Sequence, residues 1–128
     1  MNLQRVWWTL GVVLVILAMV VCLVPVPDVP APLEWNDKVS HLAGHGLLAL
    51  YFAGLVPRRS WWKIFLFLLL MGITIEFAQH FMRLGREGDP RDVVANSAGA
   101  LLGLAIGRLG AARWPELVTW LLGRRATQ

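Results

Sequence analysis

The sequence predicts an all-α polytopic membrane protein: a bundle of four transmembrane helices followed by a short C-terminal amphipathic interfacial helix. Three observations lead there. The 128 residues are 57% hydrophobic and 16% charged, against roughly 45–50% and 25% in an ordinary soluble domain. The apolar residues fall into four long runs separated by short polar or proline-rich segments. The basic residues divide unevenly between alternate connections, as they do across a membrane. This composition excludes a disordered chain and an average soluble enzyme. The length suits one domain over 1–128, with no room for a soluble domain beside the membrane part.

The first run, residues 6–24, carries no charge and would be about 28 Å long as a helix, matching the hydrocarbon thickness. It is longer than a signal-peptide core of roughly 7–15 residues, and Cys22-Leu23-Val24 is no small-x-small cleavage site. Val21 stands where a lipoprotein signal needs a small residue before the cysteine. Cys22 therefore reads as a thiol packed in a helix, and a single cysteine permits no intrachain disulfide. Prolines 25, 27, 30 and 32 rule out regular helix in the next segment, which is expected to be an extended connector. Asn36 reads as an N-cap for the second span, 37–56, which is uncharged from Val39 onward. Pro57-Arg58-Arg59-Ser60 is a tight turn, with Ser60 capping the third span, 61–82. A polar loop over 83–88 leads to Asp89, a cap for the fourth span, 90–109. Pro90 suits its first position, and Asp92 suits the positive end of its dipole. In the tail, 111–128, Trp114, Leu117, Val118 and Leu121 form a helical stripe. That tail is too short to cross and ends near Arg124-Arg125, as expected of a helix lying on a lipid surface.

Charge sets the orientation. One side collects Arg5, Arg58, Arg59, Lys63, Arg108, Arg113, Arg124 and Arg125 against Glu116 alone. The other mixes Lys38, Arg83, Arg86 and Arg91 with Asp28, Glu34, Asp37, Glu87, Asp89 and Asp92. The more basic side is cytoplasmic, so both termini are expected inside. Trp7, Trp8, Trp61, Trp62, Trp114 and Trp120 would mark the inner interface and Trp35 the outer one. The net charge of +4 and pI of 10.2 then follow from topology and lipid head groups, without a nucleic-acid partner.

In this topology the ionisable residues share the outer leaflet. Asp37, His41 and His45 stack on one face of the second span beside Lys38. Glu76, Gln79, His80 and Arg83 line one face of the third. Asp89, Asp92 and Asn96 lie at the start of the fourth. At about 1.5 Å per residue, His45, Glu76 and Asn96 come to one depth, roughly 10 Å below the helix ends. An intramembrane ionisable group costs on the order of 3 kcal/mol or more unless it meets a partner or water. Glu76, preceded by the uncharged stretch 64–75, is the sharpest case. It is either part of a hydrogen-bond network holding three helices in register or part of a polar pocket open to the outer leaflet.

Gly99, Gly103 and Gly107 repeat at four-residue spacing, a stripe for close helix packing. His41 with His45 and Glu76 with His80, each at i and i+4, could supply metal ligands. They lack an H-E-x-x-H pattern, so polar lining is the favoured reading and no metal or cofactor is expected. Ser40 and Ser97 lie in no nucleophile motif.

Four motifs together resemble one family. Asp37-Lys38-x-x-His41, Glu76-x-x-Gln79-x-Phe81, Gly85-Arg86 and Asp92-x-x-x-Asn96-x-x-Gly99-x-x-x-Gly103 occur in the order found in VanZ-like proteins. His45 departs from that pattern, which tends to an aromatic residue there. The resemblance implies a small bacterial protein of the inner membrane, in a family whose founding member is associated with low-level teicoplanin resistance. The resulting expectation is a non-enzymatic pocket for membrane lipids, a lipid-linked cell-wall precursor or the lipidated glycopeptide. Lys38 and Arg86 would meet anionic head groups; Asp37, His41, Glu76, Gln79, Asp92 and Asn96 would form the wall. Two alternatives stand beside it. One is an enzyme acting on a lipid head group, with Glu76 or Asp92 as general base and His41 as partner. The other is a small proton-coupled carrier, which four spans without a repeat would favour only as a homo-oligomer.

Overall fold

The computed structural model describes residues 2–24, 34–82 and 88–125, with the backbone alone described at 34–37 and 124–125. The expected connector over 25–32 and most of the loop over 83–88 lie outside these residues. All regular structure among the described residues is helical: α1 (Leu3–Leu23), α2 (Glu34–Ala53), α3 (Trp61–Met82), α4 (Pro90–Arg108) and α5 (Trp114–Arg125). Short 3-10 turns, Arg58–Ser60 and Ala111–Arg113, precede α3 and α5.

The ends have local causes. The Asn2 side chain accepts from the Gln4 amide at 3.1 Å, so α1 starts a turn before the uncharged run and takes in Arg5. α2 begins at Glu34, ahead of Asn36. Asn36 therefore lies inside the helix rather than capping it. α2 stops at Ala53, short of the expected residue 56, as the Gly54 and Leu55 amides turn back to the carbonyls of Tyr51 and Phe52. Asp89 caps α4 through Oδ1, which accepts from the Arg91 amide at 2.9 Å, and Pro90 occupies the first turn. Beyond α4, Gly110 adopts φ 116°, a left-handed conformation that glycine tolerates without strain. The chain turns there, and Ala111–Gly123 departs at 74° to α4.

α2 and α4 run parallel and pack most extensively of all helix pairs. A methyl group at Gly99 would strike the Leu42 carbonyl, and one at Gly103 would strike the carbonyl of Gly46. The two backbones thus touch along a glycine seam. α3 runs antiparallel to both. Leu48, Phe52, Ile64, Leu68, Met71 and Ile75 lead the apolar core between these helices. α1 is attached more lightly, with Gly11 its one buried residue.

By length and composition, Leu3–Leu23 and Arg58–Met82 can each cross a membrane. Pro90–Arg108 and Ala111–Gly123 meet that standard only when taken together, as a pair broken by the 74° bend. α2 falls outside this set for a physical reason: the acids, histidines and glycines that lower its hydropathy occupy the helix that faces α4.

A buried polar cluster as the candidate functional site

The polar residues sit where α2 and α4 begin and α3 ends. Lys38, in the first turns of α2, extends its ammonium to two carboxylates of the α4 N-terminus. Nζ lies 2.8 Å from Asp89 Oδ2 and 2.9 Å from Asp92 Oδ1. Asp89 stands outside the helix, and the Lys38 hydrogen bond and the Arg91 amide hold its carboxyl below the usual carboxylate range. Asp92 is buried, at 7% side-chain exposure. Its second oxygen faces His41 Nε2 at 3.9 Å, beyond hydrogen-bond reach and an ion pair only when the ring is protonated.

One turn deeper, His41 Nδ1 lies 3.1 Å from Asn96 Oδ1, where an Nδ1–H donates to the amide oxygen. His45 Nδ1–H donates to the His41 carbonyl at 3.2 Å, which leaves Nε2 of the neutral ring as an acceptor. His41, His45, Glu76, Gln79, Asp92 and Asn96 are all buried. Four of their atoms have no hydrogen-bond partner among the described residues: His45 Nε2, Glu76 Oε1, Glu76 Oε2 and Asn96 Nδ2. Buried polar atoms are nearly always paired, so each marks a point where the described residues leave hydrogen-bonding capacity open. The Asn96 amide nitrogen is directed at α3, where only the missing side chain of Gly72 leaves it room. Gly88 closes over Glu76, where a methyl group would strike the Glu76 carbonyl. The cluster can therefore hold a proton or a hydrogen-bonding group between three helices.

The residues read from the sequence are not all brought together. Lys38 with Asp92 and His41 with Asn96 form two bonded pairs that face each other, with His41 Nε2 3.9 Å from Asp92 Oδ2. Glu76 lies beside them without a hydrogen bond to any of the four. Gln79 turns away, donating from Nε2 to the Cys22 carbonyl of α1 at 2.8 Å. Arg86 and the Asp37 side chain lie outside the described residues. Gly99 and Gly103 meet the α2 backbone, and Gly107 sits against Trp61, Ala112 and Ala53. No group of three or more His, Cys, Asp or Glu among the described residues is arranged to hold a metal ion.

Sequence reasoning passed over Gly46, Gly72 and Gly88, which let neighbours approach the cluster. The available signal for Gly46 was a small residue one turn beyond Leu42, matching the four-residue spacing of Gly99 and Gly103 that it meets. It also passed over a clasp at the opposite end. There the Tyr51 hydroxyl donates to the Trp7 carbonyl at 2.7 Å, and Trp114 Nε1 donates to the Tyr51 carbonyl at 3.2 Å. Trp114 stacks on Tyr51 with centroids 4.9 Å apart.

Fold and cluster together define a class: a small all-helical protein with helices able to cross a membrane and an ionisable cluster buried between them. The profile of the VanZ/LLP1 family matches residues 10–111, and the chain belongs to the VanZ-like family. No curated protein and no solved structure matches it.

Proposed function

We propose that this is a four-span inner-membrane protein whose polar cluster receives the head group of a membrane lipid or lipid-linked envelope molecule from the outer leaflet. The observation that carries the reading is a set of buried polar atoms on three helices that no hydrogen bond among the described residues satisfies: Glu76 Oε1 and Oε2, Asn96 Nδ2 and His45 Nε2. An ionisable residue buried within a membrane is by default read as part of a functional site. In this reading α1 to α4 cross, α5 lies at the inner interface and both termini are cytoplasmic. The clasp of Trp7, Tyr51 and Trp114 and the basic Arg58, Lys63 and Arg108 occupy one end, and the polar cluster the other. Lys38 is already shared by two carboxylates, so it orients Asp92 more than it attracts a phosphate.

Native mass spectrometry of protein extracted with its lipids tests this. The wild type is expected to retain a defined lipid or lipid-linked species that Glu76→Gln releases while inserting and expressing normally. Equal retention by both proteins would overturn the assignment of Glu76. A teicoplanin-susceptibility assay on the same pair asks whether the resistance associated with the family depends on this cluster.

A second reading has its own observation. Asp92 lies between an ammonium and an imidazole, near the buried carboxyl of Glu76, an arrangement able to accept and return a proton. Head-group turnover on extracted envelope lipids, lost in Asp92→Asn, would make the protein an enzyme.

A further inference from the structure

At the opposite end from the polar cluster, α3 and α4 leave a groove of about 490 Å³ between them. Its wall is apolar: Phe65 on α3 faces Leu101, Leu104 and Ala105 on α4. Two arginines line its mouth, Arg58 ahead of α3 and Arg108 in the last turn of α4. Arg58 is held in place, donating from Nη2 to the Arg108 carbonyl at 2.8 Å and lying 5.6 Å from the Trp61 ring centroid. No carboxylate among the described residues pairs with either guanidinium. The nearby acid on this end, Glu116, is taken by Arg113 at 2.9 Å.

Two guanidinium-bearing residues at one groove mouth, with no carboxylate among the described residues to neutralise them, favour an anion there. Guanidinium groups present planar forks of donors that match a phosphate. From Arg108 back to Leu101 the wall runs about 10 Å along α4, long enough for the first part of an acyl chain. Trp61 and Trp62 border the groove, and indoles favour the level of lipid head groups. We propose that this groove is a binding site for an anionic diacyl phospholipid. Its phosphate lies across Arg58 and Arg108, and one acyl chain runs along Phe65, Leu101, Leu104 and Ala105. This site is separate from the polar cluster and does not depend on what that cluster binds.

The test is competitive lipid retention by the purified full-length protein, equilibrated with vesicles of equal phosphatidylglycerol and phosphatidylcholine and read by native mass spectrometry. Each basic residue near a lipid surface contributes about fivefold in affinity. The wild type is therefore expected to enrich phosphatidylglycerol, and Arg108→Gln to lower that enrichment about fivefold. The Arg108 carbonyl that receives Arg58 remains in that variant. Arg113→Gln, already paired and off the groove, is expected to leave the enrichment unchanged. No enrichment in the wild type, or an equal loss in both variants, would overturn the site. A second measurement stands on the wild type alone. Photoactivatable phosphatidylglycerol should crosslink to peptides containing Phe65 or Leu101. Excess phosphatidylglycerol should displace it, and phosphatidylcholine or glycerol phosphate should not. Crosslinking confined to other helices would equally sink the proposal.

Discussion

α1 and the α2–α4 pair meet opposite physical demands. α1 is the more apolar of the two single helices able to cross a membrane, yet 6% of its most apolar window is buried, against 39% for α3. α2 and α4 are far more polar, and their contact encloses Asp92, Asn96, His41 and His45. In water this order would be inverted. In a bilayer the lipid solvates Leu and Val as well as protein does, so hydrophobicity holds a helix in the membrane without holding it to its neighbours. Association falls to small residues and polar contacts. α2 and α4 have both; α1 has Gly11 against Phe52 and the bonds at its two ends to Tyr51 and Gln79.

Substitutions can break that contrast or sharpen it. The largest effect is expected at the seam. Gly99→Val drives a side chain into the Leu42 backbone, which cannot rotate aside. It should cost about 3 kcal/mol, read as a lowered thermal midpoint in detergent or as lost membrane accumulation. A Gly99→Val protein as stable as the wild type would mean that α2 and α4 do not touch as described. Next is Lys38→Met, which leaves Asp92 buried without its cation. Removing one partner of a buried pair costs about 3–5 kcal/mol, reduced here to about 2 because Lys38 is 41% exposed. Adding Asp92→Asn in the same chain should recover part of the loss, since the unpaired charge then disappears. A double variant no better than Lys38→Met would show that the pair is not the source.

At the other end Tyr51→Phe removes the hydroxyl that ties α2 to the Trp7 carbonyl. It should cost about 1 kcal/mol, seen as a small downward shift in the same melting curve. On α1 itself, Val21→Ala, at a position 62% exposed, should stay within about 0.5 kcal/mol of the wild type. A larger loss there would assign α1 a partner face that the described residues lack. The smallest effect concerns pH. The Asp89 carboxyl titrates below its usual range because Lys38 and the Arg91 amide favour its anion. Its contribution is complete above the ordinary carboxylate range and fades as acid protonates it. Acid should therefore lower the melting temperature less in Asp89→Asn than in the wild type.

Much of this was legible from residue spacing. Asp89-Pro90 announced the start of α4, and the Gly99–Gly103 repeat announced a close helix contact. Lys38, His41, Asp92 and Asn96 lie together as helical periodicity placed them on facing sides. Sequence could not tell which acid Lys38 would choose, because Asp89, Asp92 and Glu76 all came within its reach. Nor could it tell that Gln79 would turn to the Cys22 carbonyl. A side-chain amide pairs with any nearby backbone group, and the packing of α1 decides which one it meets. The start of α2 was missed for a simpler reason. Asn36 is a good cap in isolation, but Glu34 and Asp37 also suit a first turn, and the helix extends to include them.

The parallel seam bears on how the protein is made. The two helices that hold each other most closely are separated by the whole of α3. Lys38 and Asp92 lie 54 residues apart in the chain. At ribosomal rates of about 5–20 residues per second, α2 emerges roughly 3 to 11 seconds before α4 can reach it. For that interval its charged face has no mate. In the proposed four-span arrangement, the insertion machinery or a holding chaperone would shelter this half-polar segment until the last long helix arrives. A chain that stops after Met82 would leave α2 permanently in that state, and membrane quality control should clear it faster than a chain that stops after Arg108.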